Sequence, residues 1–327
     1  MTHIPSFADV LEARERLSGH AVVTPLIEVP ALNALAKGRV LIKAECLQRT
    51  GSFKFRGAWN CISRLSAATA KGGVVAYSSG NHAQGVAAAA QMMKLPALIV
   101  MPEDTPEIKK ANTRSYGAEI VTYDRATEDR EAIANRIAAE RGAVIVPPFD
   151  HPQIIAGQGT SGLEAIEQAA SSDVRLDAVL IPVSGGGLTA GNTLAFTAQS
   201  PATQIHTVEP EGFDDHARSL ESGRREHNAK ASGSICDALL SPAPGELTFT
   251  INQPRLAPGL VVSEAEVKRA MAFAFQHLKL VIEPGGAVGL AAVLAGKIPT
   301  EGRSIAVIAS GGNVDPGLFA DVLTNGH

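Results

Sequence analysis

The chain has 327 residues, of which 45% are hydrophobic and 19% charged, and its formal net charge is −4. That length holds one large or two medium domains with a sizeable core, and the mild acidity leaves no electrostatic footprint for nucleic acid or an anionic membrane. Three scattered cysteines, Cys46, Cys61 and Cys236, argue against a disulfide framework or a zinc site and suit a reducing cytoplasm.

The elements follow in chain order. "SFADVLEARERL" reads as an amphipathic helix with Ser6 as its N-cap. It contains no apolar signal core, and no later stretch is long enough to span a bilayer. Next comes "RTGSFKFRGAWN", which places Lys54 between Phe53 and Phe55 in a chain with only 4% aromatic residues. Beyond it, short apolar runs alternate with alanine-rich helical stretches. "VVAYSS", "ALIVMP", "AEIVTYD", "AVIVPPF", "LDAVLIPVS", "QIHTVEP" and "SIAVIAS" read as buried strands. "NHAQGVAAAAQMM", "REAIANRIAAER", "TSGLEAIEQAA" and "AEVKRAMAFAFQHL" read as helices. "AKASGSICDALLSPAPGE" is rich in small residues and proline and reads as a surface loop. This alternation specifies an α/β fold of mostly parallel sheets flanked by helices, with ligands at the carboxyl ends of strands.

Three strand-to-helix turns stand out: "YSSGNHAQG" (77–85), "VSGGGLTAG" (183–191) and "ASGGNVD" (309–315). Each offers free backbone N–H groups at a helix start, suited to an anion. Any one alone could be a tight chain reversal; three after buried strands point to a shared ligand site. A buried Lys54 would lose its proton more readily and could attack a carbonyl to form a Schiff base. A competing reading uses Gly185-x-Gly187-x-x-Ala190 as a dinucleotide fingerprint, with Glu209 as the ribose-binding acid about 20 residues on. That NAD-dependent oxidoreductase would leave Lys54 and the other two turns without a role.

Taken together, "TGSFKFRGA", "SSGNHAQG", "SGGGL", "EPGGAVGLAA" and "SGGNVD" resemble the serine/threonine dehydratase and serine racemase family of pyridoxal-phosphate enzymes, of the tryptophan-synthase-β-like fold, fold type II. The motifs run in order from about Lys43 to Asp315, over nearly the whole chain. The resemblance implies two domains, each an open, mostly parallel sheet flanked by helices, with the cofactor in the cleft between them. Residues 1–68 and 148–327 would form the large domain, and 69–147 a small mobile one carrying the asparagine loop. Lys54 would hold the cofactor as a Schiff base and act as catalytic base. Phe53 would pack on the pyridine ring, Asn81 bond its hydroxyl, and Ser310 face its nitrogen, with Glu283 also at the cofactor. Ser184, Gly185, Gly186, Gly187 and Leu188 would cradle the phosphate. Ser78, Ser79, Gly80, Asn81 and His82 would receive the substrate carboxylate.

The neutral Ser310 makes the ring a mild electron sink, which suits elimination of a β-hydroxyl. The activity implied is an ammonia-lyase (EC 4.3.1) turning L-serine or L-threonine into a 2-oxo acid and ammonia. Ser79 matches the racemase position on the opposite ring face; if it acts there, racemisation accompanies dehydration, and otherwise it caps the following helix. Glu209, the Phe213 carbonyl and Asp215 match a divalent-cation site suited to Mg²⁺ or Ca²⁺; the alternative is solvated charge after a strand. Arg130 aligns with an arginine near the racemase active site and could pair with a second carboxylate, favouring 3-hydroxyaspartate and oxaloacetate; the alternative is a helix-surface arginine paired with Glu128 or Asp129. "SICDALLSPAPGELTF" also resembles, loosely, a dehydratase subgroup of hydroxyectoine breakdown. The chain ends soon after "SGGNVD", so no isoleucine-sensing domain is expected. A homodimer is implied. A cysteine-synthase-like replacement enzyme is disfavoured because its loop reads nearer "TSGNT", and a non-catalytic scaffold is disfavoured by the intact Lys54, Asn81 and Ser310.

Overall fold

A computed structural model describes residues 3–325 except Ser79, Pro106 and Arg125. Among the described residues ten strands form two sheets. They are β1 (Leu26–Glu28), β2 (Arg39–Lys43), β3 (Val74–Tyr77), β4 (Ala97–Pro102), β5 (Glu119–Tyr123), β6 (Val144–Ile145), β7 (Ala178–Pro182), β8 (Gln204–Pro210), β9 (Leu260–Val262) and β10 (Ser304–Ile308). The larger sheet runs β1-β2-β10-β7-β8-β9 and the smaller β5-β4-β3-β6. Every pairing is parallel except the antiparallel edge β1–β2. The mostly parallel α/β architecture expected from the alternation is present. Its cause is visible in β4 and β7, buried at every residue, because helices cover both faces of such a sheet.

The helices follow the same logic. Phe7–Leu17 starts where the Ser6 N–H donates to Asp9 Oδ2 at 2.8 Å, closing the first turn. Asn81–Met92 buries its run of alanines against the smaller sheet and against Phe55 and Trp59. Glu264–Phe273 opens with a capping box between Ser263 and Glu266, and a π-helical stretch at Ala274–Leu278 continues it. The short strands β1, β2 and β9 have no counterpart among the sequence expectations; three- to five-residue edge and entry strands carry little periodicity.

One expectation is corrected. Residues 229–246 are not merely a surface loop. Cys236 and Leu239 are buried in the largest core cluster, and the stretch around them walls the cavity described next. Small residues and proline there permit an irregular path, but the path runs inward. All three cysteines are buried and unpaired. Among the described residues no helix is long and apolar enough to cross a membrane.

Candidate active site

A cavity of about 760 Å³ opens where the carboxyl ends of β3, β7 and β10 converge between the two sheets. All three glycine turns reach it. Lys54 is the first residue of the helix Lys54–Ile62, with Phe53 at its N-cap. The Lys54 ammonium donates to the Pro148 carbonyl at 2.6 Å and lies 5.3 Å from the Phe53 ring centroid. Burial pushes its pKa down to about 8, so a reactive amine is accessible near neutral pH. Of the two flanking rings, Phe53 lines the cavity and Phe55 is fully buried in the core. The Phe53 N–H donates to the Ser310 carbonyl at 3.1 Å, which ties the lysine to the third turn.

The turn after β7 keeps its backbone bare for steric reasons. A Cβ on Gly185 would sit 2.3 Å from the Phe149 ring, and Gly186 has φ +95, a conformation side chains resist. Thr248 Oγ1 donates to the Gly185 carbonyl at 2.6 Å and holds the turn from behind. Ser184 Oγ donates to Ser241 Oγ at 2.8 Å. The helix Gly187–Gln199 begins here, and at its third residue Thr189 Oγ1 is buried without a partner while the residue lines the cavity. Bare N–H groups and an orphan hydroxyl at a helix start fit a phosphate.

The asparagine turn is equally fixed. Asn81 Nδ2 donates to Glu283 Oε1 at 2.6 Å, and Asn81 Oδ1 accepts from Asn313 Nδ2 at 2.7 Å. Burial, then the nearby Asp237, pushes Glu283 up to about 8. His82 donates from Nε2 to the Val146 carbonyl at 2.8 Å; burial and the Lys54 charge push it down to about 3, so it is neutral. The Gly80 N–H donates to Ser78 Oγ at 3.2 Å. Ser79 lies outside the described residues. Lys54, Phe53, Ser78, Gly80, Asn81, His82, Glu283, Ser310 and the turn Ser184–Leu188 therefore face one cavity.

Arg130 faces it as well. It opens the helix Arg130–Arg141, and its guanidinium carbon lies 5.6 Å from the Tyr77 ring centroid. The surface-pair alternative with Glu128 or Asp129 is absent among the described residues. The Asp129 carboxylate caps the helix and Glu128 accepts from the Asp124 N–H.

Glu209, Phe213 and Asp215 lie apart from the cavity. The Glu209 carboxylate accepts from the N–H groups of His216 and Ala217 at 2.9 and 2.8 Å. It therefore faces the start of the helix Asp215–Ser222, which corrects its candidacy as a ribose-binding acid. Burial, then Asp215, raises Glu209 well above the carboxylate range, and burial pushes Asp215 up to about 7. Asp215 Oδ1 accepts from Asn228 at 2.6 Å, while Oδ2 is buried without a partner. Two crowded, desolvated carboxylates with an orphan oxygen fit a hard cation. Among the described residues no cluster of three His, Cys, Asp or Glu side chains is arranged for a metal, so backbone oxygen and water would complete the shell.

Sequence reasoning missed Tyr77, Asn313, Lys109 and Asp237, all on the cavity wall. Tyr77 and Asn313 sit inside the turns already singled out, but nothing in a turn pattern reveals which side chain points inward.

The comparisons agree with this geometry. Residues 17–311 match the model of the family described as pyridoxal-phosphate dependent enzyme. An L-threo-3-hydroxyaspartate ammonia-lyase of Pseudomonas sp is 44% identical over 320 residues, covering 98% of this chain and 99% of the relative. One of the same description from Saccharomyces cerevisiae is 41% identical over 321 residues, covering 98% and 97%. The crystal structure of a T.th. threonine deaminase superposes with a TM-score of 0.90 at 44% identity, covering 95% of this chain and 99% of that one. The chain belongs to the pyridoxal-phosphate dependent enzymes. Within that family it is a carbon–nitrogen lyase of the ammonia-lyase type. The dinucleotide reading is thereby set aside, and pyridoxal phosphate is the cofactor.

Proposed function

We propose that this chain is an ammonia-lyase for L-threo-3-hydroxyaspartate, releasing oxaloacetate and ammonia. The observation that carries the reading is Arg130, which lines the cavity with no acidic partner for its guanidinium among the described residues. The two relatives just named share that activity in their descriptions. Serine and threonine, the default expectation, need no such cation and are the less supported substrates.

Bound through Lys54, the cofactor supplies an electron sink that acidifies the substrate Cα–H. The chain's residues do the rest. The N–H groups at the start of Asn81–Met92 receive the α-carboxylate, and Arg130 pairs bidentately with the second carboxylate. Two anchored carboxylates fix the Cα–H toward Lys54. Once the substrate's amino group has taken its place, the freed neutral Lys54 amine accepts that proton at Nζ. The ammonium so formed gives it to the departing β-hydroxyl, which leaves as water, and hydrolysis of the released enamine by one water gives oxaloacetate and ammonia. Ser310 and the Asn81–Glu283 pair would hold the ring's polar atoms, and Ser184–Leu188 with Thr189 would hold its phosphate. Glu209, the Phe213 carbonyl and Asp215 would hold a Mg²⁺ or Ca²⁺ remote from the chemistry. Residues 69–147 as a smaller closing domain against 1–68 with 148–327, a homodimeric assembly and a cytoplasmic setting belong to the same proposal.

The test is to assay 2-oxo acid and ammonia from L-threo-3-hydroxyaspartate, L-serine and L-threonine, with Arg130→Gln alongside. The expected result is the highest kcat/KM with hydroxyaspartate, selectively lost in the variant. A higher kcat/KM with serine or threonine would overturn it.

A further inference from the structure

Arg130 occupies an odd position. It is the first residue of its helix, where the helix dipole disfavours a cation. Three acids flank it in sequence, yet among the described residues none forms an ion pair with it, and two are engaged with backbone N–H groups. Asp129 Oδ1 accepts from the N–H groups of Glu131 and Ala132 at 2.8 and 3.3 Å. Glu128 Oε2 accepts from the Asp124 N–H at 2.7 Å. Burial, then the charge of the neighbouring Glu131, pushes the Tyr77 phenol up to about 12. What remains beside the guanidinium is the face of the Tyr77 ring at 5.6 Å.

We propose that Tyr77 is a specificity-determining positioning residue: its ring is the platform that holds the Arg130 guanidinium toward the cavity, ready for the second carboxylate of the substrate. This rests on the reading of Arg130 given above and goes beyond it. Tyr77 is the last residue of β3 and pairs in register with Val100, so its ring is set by the sheet rather than by a loop. Ser78, Gly80 and Asn81, which follow it closely, belong to the site proposed above to receive the α-carboxylate. One rigid strand end therefore fixes the spacing between both carboxylate sites. An aromatic face attracts a cation without neutralising it, unlike an acid, so the guanidinium keeps its donors for the ligand.

The test compares Tyr77→Leu, Tyr77→Phe, Arg130→Gln and the double variant Tyr77→Leu/Arg130→Gln as holoenzymes. The readout is the ratio of kcat/KM for L-threo-3-hydroxyaspartate to that for L-serine, measured on one sample so that any loss of folded enzyme cancels. Tyr77→Leu is expected to lower the ratio about three- to thirtyfold, the range of a partly desolvated cation–π contact, mainly through KM for hydroxyaspartate. Tyr77→Phe, which keeps the ring, is expected to restore most of it. In the double variant the leucine is expected to add little, because its effect runs through Arg130. An unchanged ratio in Tyr77→Leu, or effects that simply multiply in the double variant, would overturn the role of Tyr77 while leaving Arg130 in place. An unchanged ratio in Arg130→Gln would instead sink the substrate reading, and Tyr77 with it.

Discussion

Lys109 Nζ donates to the Asp237 carboxylate on the wall of the cavity. Lys109 belongs to the helix Glu107–Ser115 beside the smaller sheet, and Asp237 to a 3-10 turn beside the larger one. The pair therefore links an element beside the smaller sheet to one beside the larger, and the segment carrying Asp237 is also tied to the turn after β7 through Ser241 and Ser184.

A half-exposed ion pair contributes up to about 1 kcal/mol and is screened by salt. Asp237→Asn and Lys109→Met are each expected to raise KM up to about fivefold for every substrate alike, without the selective effect expected at Tyr77. In the wild-type enzyme KM should drift upward with salt toward the variants' values. Steady-state kinetics between low and high ionic strength checks this, and a salt dependence identical in all three proteins would show that the Lys109–Asp237 pair does not influence KM.

Lys54 makes stability depend on pH in a direction unusual for a lysine. Its folded value is near 8, below the ordinary 10.5, so between those values the unfolded chain binds more protons than the folded apoprotein. Stability then rises with pH across that window. The cost of the buried charge is full below about 8 and gone above about 10.5. Urea midpoints of the apoprotein from pH 7 to 10 should show Lys54→Met more stable at the acidic end, with the gap narrowing upward. A constant gap would mean that Lys54 is not desolvated.

Asp215 Oδ2 is the orphan atom of the carboxylate pair. Mg²⁺ or Ca²⁺ at a hundredfold excess over Kd should add about 2.7 kcal/mol, raising the melting temperature by several degrees. Chelator should reverse the rise, and Asp215→Asn should abolish it. Equal melting with and without cation in the wild-type protein would show that the two carboxylates hold protons instead.

Much of this architecture was legible in the sequence because its signals are local. Buried parallel strands such as β4 and β7 read as apolar runs, and the three glycine turns announce themselves by composition. Lys54 was legible only through its neighbours, since nothing about one lysine marks it as reactive. What stayed hidden depends on contacts across long separations. Asn313 reaches Asn81 over 232 positions, and Asp237 reaches Lys109 over 128, so no window along the chain contains either pair. The stretch 229–246 misled for a related reason: proline and small residues mark irregular backbone but not the side it faces. Glu209 matched a spacing rule by position alone, and its carboxylate turned out to serve a different helix start.

The largest hidden feature lies beneath Lys54. Arg56 is fully buried and donates to both oxygens of Glu45 at 2.8 Å and to Glu164 at 2.7 and 2.8 Å. Lys43, equally buried, donates to Glu164 at 2.6 Å and to the Thr24 carbonyl at 2.6 Å. Two cations and two anions make this cluster neutral, and it braces the helix that presents Lys54. Such a cluster adds little net stability over apolar packing, but removing one member strands a buried charge and costs about 3–5 kcal/mol. Arg56→Met should therefore lower the urea midpoint sharply at an unchanged slope. Adding Glu45→Gln removes the stranded anion, so the double variant should be less destabilised than the sum of the two single ones. Simple additivity would show that the four side chains contribute by packing and hydrogen bonding, and that charge balance is not what keeps the lysine helix in place.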